Sequence, residues 1–561
     1  MKATRSSNTS ISQIVWLGMA ATGAFFLLAL VLNWASASTS GTQALNSVDY
    51  ASNSITLALE QEPPQLDSSR STDSVSGLIL GHVMEGLLRV DEHNKLAPGI
   101  AKHWEITNTG AKFWLRDTAK WSDGSQVTAH DFIFAWKKVL DPATASQYAF
   151  FLYPLKNAEA INSNKMSIDK LGARALDKLT IEVEFENPIS YFDKLLSFST
   201  YFPIKESFFN ETNGRFGSDA DTLLYNGPFI ITKWIHSSQL IAEKNPNYWD
   251  KDSIKLDAIN WSYITADTTA KLNLFKDDRT AFVQLDAETL EAALNNRWNI
   301  KQFSDGTIFY IEFNHRNGRL TTNYHLRRAM QLVSNSSELV YKVIKLPGNL
   351  PGISLFPSWQ MGENKLFQQE YPHPEHKVDI REARRHLEIA RKELGLETFP
   401  PLVMLSSDSP TARKQSEYYQ NVFKRTLGLE IKIDMQIFKQ RLAKMLAGDF
   451  DLVMAGWGPD YEDPLTFGDL FASWNIQNRG RYNNPKLDQH VRIAQSSLIQ
   501  AERMQAFGHI QDILYHDAVI LPNYERGRIY VLDPRVGGLV RRITGADPDF
   551  SRAYLIQDGQ K

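Results

Sequence analysis

Apolar and polar side chains alternate with a period of two along Leu179-Thr-Ile-Glu-Val-Glu-Phe and Lys112-Phe-Trp-Leu-Arg, which predicts strands buried on one face. Gly428-Leu-Glu-Ile-Lys-Ile-Asp-Met repeats the alternation, whereas Phe450-Asp-Leu-Val-Met-Ala-Gly-Trp is mostly apolar and reads as a more buried strand. Ser54-Ile-Thr-Leu-Ala-Leu opens the folded part as a further strand. Glu382–Leu394 and Ala501–Ile513 carry apolar residues at helical spacing. Asp131 is placed to cap a helix over Phe132–Leu140, because a carboxylate there accepts an otherwise unpaired backbone N–H. Strands and helices mixed along the whole chain predict an α/β fold, and 561 residues exceed a single core of roughly 100–200, so several lobes are expected.

The N-terminus breaks this pattern. Ile14 to Leu32 is an uncharged, mostly apolar run of 19 residues, preceded by Lys2 and Arg5 and followed by Ala35-Ser36-Ala37. A basic start, an apolar stretch and a small-x-small site predict a secretory signal. The run also approaches the ~20 residues that span a bilayer, so residues 1–37 are read as a signal peptide or an uncleaved membrane anchor. Both place the remainder outside the cytoplasmic membrane. Residues 38–50 are small and polar, as a tether would be, and the absence of a second long apolar run excludes a permease.

Composition narrows the chemistry. A net charge of −3 gives no basic surface for nucleic acid. The chain has no cysteine, which excludes disulfides, thiolate metal sites, thiol nucleophiles and a lipidated N-terminal cysteine. Gly-x-Ser-x-Gly, His-Glu-x-x-His and phosphate-cradling glycine loops are absent from the sequence. His373 and His376 lie in a Pro-bearing polar stretch and read as solvated, and Arg381, Arg384 and Arg385 alternate with Glu382 and Glu388 as on a solvated helix face. The 64 carboxylates leave an envelope hydrolase with a carboxylate pair open, because such pairs are defined in space. No catalytic residue, metal ligand or cofactor is assigned, and the chain is read as not an enzyme.

Longer blocks carry more. Glu85-Gly-Leu-Leu precedes Leu96-Ala-Pro-Gly-Ile-Ala-Lys-His-Trp-Glu. Lys120-Trp-Ser-Asp-Gly-Ser-Gln-Val-Thr-Ala-His-Asp-Phe then leads through Trp136 to Asp141-Pro-Ala-Thr-Ala-Ser-Gln-Tyr-Ala. Tyr225-Asn-Gly-Pro-Phe, Glu243-Lys-Asn-Pro-Asn-Tyr-Trp-Asp and Gly456-Trp-Gly-Pro-Asp-Tyr-Glu-Asp-Pro follow. In this order, over about residues 54–556, they resemble the peptide- and nickel-binding family 5 of bacterial ABC-transporter solute-binding proteins, most closely its oligopeptide-binding branch. Trp-Ser-Asp-Gly is physically a tight turn, and Pro142 and Pro228 read as turn residues too, so these blocks mark the family without touching ligand.

The resemblance implies a two-lobed periplasmic-binding-protein-like flytrap with an extra subdomain. Lobe I would combine 50–84, 208–306 and 526–561, subdomain II would cover 85–207, and lobe III 307–525, with the crossing segments as hinge. It implies a monomer that captures peptides and delivers them to an ABC permease in the cytoplasmic membrane. A cell-wall peptide, metal chelate or other non-peptide solute is the alternative. Any peptide offers main-chain amides, an ammonium and a carboxylate, so recognition needs a free backbone edge and a partly buried carboxylate. By resemblance Asp460 meets the ammonium, and the backbone from Ala455 through Gly456 and Trp457 to Gly458 pairs with the peptide. Ser71-Thr-Asp-Ser-Val, with Thr72, would add a pairing edge opposite. Trp457 and Tyr148 match ligand contacts in the family; Tyr310, Phe438 and Tyr524 are further aromatic candidates, and Glu312 aligns with a polar pocket residue. Where peptide-binding relatives carry carboxylate-binding arginines this chain has Met445 and Met454, with Lys444 or Arg441 as substitutes.

Overall fold

The structure is a computed structural model that describes residues 46–557; the signal or anchor at 1–37 and most of the tether lie outside the described residues. The tether ends earlier than residue 50. Val48–Asp49 pairs antiparallel with Ser54–Leu59. Ser47 is fully buried and donates through its hydroxyl to Asp533 (2.9 Å). One valine in a polar stretch is enough to carry this segment into the core, where its side chain is buried.

Three main sheets organise the chain. The first orders Val48–Asp49, Ser54–Leu59, Ala258–Ile264, Gln239–Lys244 and Phe229–Ile235, with Ser54–Leu59 parallel to Ala258–Ile264. The second is antiparallel: Ala101–Ile106, Gly110–Leu115, Thr180–Glu184 and Ala173–Asp177. The third runs Phe282–Leu285, β4 (Ile520–Leu532), β1 (Ile300–Phe313), β3 (Leu452–Trp457), β2 (Leu402–Ser407) and Ile431–Gln436, with Leu350–Pro351 added beside β4. β1 and β4 lie side by side over most of their length, and the expected lobe limits at 306 and 525 fall inside them. Their register shifts between Ser304 and Ile308. Gly306 sits in that bulge at φ +74°, where a Cβ would come within 2.9 Å of Trp359. The Asp305 carboxylate pairs across the bulge with Arg526 (2.6 Å) and with Arg528.

The motif blocks assemble a clasp. Asn226 accepts from the Glu85 N–H (3.0 Å) and donates to the Glu85 carbonyl (2.9 Å). Glu85 in turn accepts from the Tyr248 hydroxyl (2.5 Å) and the Trp249 indole (2.6 Å). Asn247 donates to the Ser122 carbonyl (3.0 Å), which ties in the Trp-Ser-Asp-Gly turn, where Gly124 adopts φ +83°. These long-separated blocks therefore fix the scaffold. Asp131 is not the helix cap: the helix spans Ala129–Leu140, Thr128 caps it, and Asp131 completes a capping box while also accepting from buried Trp121 (3.2 Å).

Candidate ligand-binding site

β3 alternates across its sheet. Val453 and Ala455 face the core that contains Tyr310, while Leu452 and Met454 face the one that contains Ile311 and Tyr524. On one side β3 pairs with β1 throughout, from Phe313↔Leu452 to Ile308↔Trp457. On the other side its pairing with β2 ends at Leu405↔Val453, and among the described residues no strand continues beside Met454–Trp457. Apart from the Met454 carbonyl, which accepts from Arg441 Nη1 (2.7 Å), that edge of the backbone is open. Gly456 and Gly458 are exposed on it and Trp457 is half-buried.

The chain then turns, and the turn is anchored from below. The Thr466 hydroxyl accepts from the Asp460 N–H (3.0 Å) and the Trp457 indole (3.5 Å). Asp463 is buried and receives a bidentate fork from equally buried Arg503 (2.6 and 3.0 Å). The Tyr461 ring stacks on Tyr191 from the 85–207 segment (5.8 Å, 11° between planes), with Phe151 edge-on (5.8 Å). Lys194 approaches Asp463 at 3.7 Å. The turn is thus clamped between the two sides of the molecule.

Asp460 sits at the end of the open edge, partly reached by solvent and facing the Tyr148 hydroxyl. Burial pushes its carboxyl up to about 8, the Asp469 carboxylate adds to this, and the hydrogen bond with Tyr148 opposes it. Burial likewise raises Asp469 to about 7, reinforced by Asp463. A carboxyl in that state lacks a cation. Tyr148 is held in an aromatic nest of Phe150, Phe151 and Phe198, and Asp73 also bears on its hydroxyl.

Tyr310, opposite Ala455 in the β1–β3 register, lies among Glu312, Arg479 and Arg441. Glu312 is buried and accepts the Gly480 N–H (2.5 Å); burial raises its carboxyl to about 7. Arg479 is 6% exposed and also faces Tyr148, so it lies between Tyr310 and the Asp460 end. Arg479 was not found in the sequence, where Arg479-Gly-Arg looks like a surface loop; its place depends on Glu312 holding Gly480 from 168 residues away.

The other expected residues divide. Thr72 is half-buried next to Asp73. Of the stretch Ser71–Val75, only Ser71–Asp73 is extended, because Asp73 caps helix α1 (Ser74–Val83) by accepting from the Val75 and Ser76 N–H groups. Phe438 is 41% exposed at the start of α2 (Phe438–Ala447), with the Arg441 guanidinium 5.7 Å from its ring centre. Tyr524 is not brought to Asp460. It stacks on Phe309 (4.7 Å, 2°) in the second core, on the opposite face from Tyr310. Met445 and Met454 are both buried among apolar side chains. Lys444 does not replace the missing arginines, being held by Asp434 and Asp449.

Comparison with known proteins agrees with this geometry. The model for bacterial extracellular solute-binding proteins, family 5, matches residues 95–479. The chain belongs to that family, whose members work in the periplasm or cell envelope. It is 30% identical over 517 residues to the oligopeptide-binding protein OppA of Bacillus subtilis, covering 89% of this chain and 92% of the relative. It is 29% identical to the dipeptide-binding protein DppE of the same organism, covering 87% and 89%. The substrate-binding domain of an oligopeptide ABC transporter from Bacillus anthracis superposes with a TM-score of 0.83 at 33% identity, over 90% of this chain and 99% of that one. Peptide-bound OppA of Listeria monocytogenes superposes at 0.82 and 30% identity, with the same coverage. The fold is the α/β flytrap of these binding proteins.

Proposed function

We propose that the protein captures peptides outside the cytoplasmic membrane and delivers them to an ABC permease. The observation that carries this is the open edge of β3 running directly into the cation-deficient carboxyl of Asp460. A peptide laid on Met454–Trp457 completes the sheet through main-chain hydrogen bonds, which read no side chain. Its ammonium then meets Asp460, and Tyr148, Trp457 and Tyr310 line the walls. Glu312, Thr72 and Phe438 lie at the margin. The relatives named for oligopeptide and dipeptide binding and the peptide-bound solved structure support this reading.

Lobe I (50–84, 208–306 and 526–561) and subdomain II (85–207) face lobe III (307–525), and closure turns on the bulged β1–β4 pair. The protein acts as a monomer, and its N-terminal apolar run exports it as a signal peptide or, if uncleaved, anchors it at the membrane where the permease lies.

The test is Asp460→Asn, which keeps the shape and removes the charge. Loss of one partner of a buried charge pair costs about 2–5 kcal/mol, so calorimetric affinity for free peptides should fall by at least about 30-fold with the ligand-free melting temperature preserved or raised. Unchanged affinity contradicts the site assignment.

A further inference from the structure

Two histidines meet between the helices Tyr324–Val333 and Ile380–Glu393, away from the β3 edge. These helices pack through Leu326, Ala329 and Met330 on one and Ala383 and Ala390 on the other, all buried in the core that contains Ile311. His386 lies on the same stripe, three residues after Ala383 and four before Ala390, and is buried with them. Its Nδ1 stands 2.7 Å from Nδ1 of His325. At that distance one ring carries a proton on Nδ1 and the other presents a bare lone pair. The far side of each ring faces a carboxylate. His386 Nε2 is 3.5 Å from Glu382 Oε1, and His325 Nε2 is 3.8 Å from Glu393 Oε1. Both carboxylates are themselves held: Arg385 Nε donates to Glu382 (2.9 Å) and the Asn323 amide to Glu393 (2.8 Å), with Asn323 fixed as the cap of its helix.

A carboxylate behind each imidazole favours the proton on Nε2, and with both protons there the two Nδ1 lone pairs converge on one point between the rings. Two lone pairs so placed repel unless a cation lies between them. We infer that His325 and His386 bind a divalent transition-metal ion of the zinc class through their Nδ1 atoms, with Glu382 and Glu393 as positioning residues behind the rings. Imidazole nitrogen suits zinc, whereas magnesium and calcium take oxygen ligands. Zinc–nitrogen bonds of about 2.0–2.1 Å in a tetrahedron set the two nitrogens about 3.3 Å apart, so the rings part by about 0.6 Å to admit the ion. A quarter of the His325 side chain is exposed, which gives the ion a way in. Among the described residues no third His, Asp or Glu completes a ligand group, so water fills the remaining positions. Bound there, the ion ties the two helices together and takes no part in ligand capture, so the inference stands apart from the peptide-capture reading.

The experiment is calorimetric titration of the purified, chelator-treated protein with zinc chloride, with magnesium chloride as the control. Wild type is expected to bind zinc at a saturable site for which magnesium does not compete, and zinc should raise the melting temperature by mass action. His325→Gln and His386→Gln should each weaken that site at least about 10-fold and reduce the thermal shift. His325 is the more exposed of the two, so its variant keeps the test alive should His386→Gln fail to fold. Glu382→Gln combined with Glu393→Gln keeps both imidazoles and should weaken zinc about 10–100-fold. Both carboxylates are exposed, so the zinc-free melting temperature should hold in that variant. Zinc affinity that survives both histidine substitutions places the ion on other side chains and overturns the inference. Absence of saturable zinc binding at millimolar concentration overturns it as well. Unchanged zinc affinity in the double glutamine variant overturns the positioning role of the carboxylates.

Discussion

At the residue scale, the proposed ammonium contact at Asp460 couples ligand capture to protons. Its carboxyl, raised to about 8 by burial and by Asp469, is mostly protonated at neutral pH without ligand. A ligand ammonium favours the ionised form, so binding below pH 8 must release a proton. Affinity for free peptides is therefore expected to rise with pH between 6 and 8, and titrations in buffers of different ionisation enthalpy should register the released proton. In Asp460→Asn that dependence should vanish. The stability consequence has the opposite sign. A raised carboxyl pKa means the folded state holds a proton that the unfolded state has lost, so stability is fully present below about pH 4 and declines as pH rises through about 8. Asp460→Asn should accordingly be more stable than wild type near pH 8, by about 1–3 kcal/mol in melting or denaturant experiments, while binding peptide poorly. A variant no more stable than wild type at pH 8 would mean that the carboxyl is not strained by burial.

At the scale of elements, the binding turn depends on an anchor it does not share with the ligand. Asp463 and Arg503 are buried at 1% and 2% exposure, and removing one partner of such a pair leaves an uncompensated charge. Arg503→Met is expected to lower stability by about 3–5 kcal/mol in chemical denaturation and to loosen the turn that carries Asp460. A loss below about 1 kcal/mol would show that the pair does not hold the turn. The elements themselves were legible because their cues are local. Period-two alternation at Lys112–Arg116 and Leu179–Phe185 became strands Gly110–Leu115 and Thr180–Glu184. Helical spacing over Glu382–Leu394 became Ile380–Glu393. Cap chemistry was harder to read: Thr128, not Asp131, caps its helix, and Asp73 starts a helix at Ser74 within the stretch Ser71–Val75. Tyr524 lies on the face opposite Tyr310 because of a register shift between Phe309 and Tyr310, which composition does not encode. Arg479 was missed for a similar reason, since its surroundings come from β1, from α2 and from Tyr148, all distant in sequence.

For the whole molecule, the proposed closure turns on the bulged pair of β1 and β4. Gly306 occupies a left-handed conformation with Trp359 closing over it, so a β-branched side chain is strained there. Gly306→Val should lower the melting temperature and reduce the compaction that peptide produces in small-angle scattering; unaltered compaction would move the hinge elsewhere. The family motifs lie mostly in the Glu85–Asn226–Tyr248–Trp249 clasp, which explains why they identify the fold so clearly and say so little about ligand. The central claim is capture of free peptides along the β3 edge that leads to Asp460. It is tested most directly by melting the purified protein against free di- to pentapeptides. A ligand that binds only the folded state raises the melting temperature by mass action, roughly 2.7 kcal/mol of stabilisation at 100 times Kd. The account predicts concentration-dependent stabilisation by several unrelated short peptides. No shift with any peptide at millimolar concentration would contradict it and turn the search to non-peptide solutes.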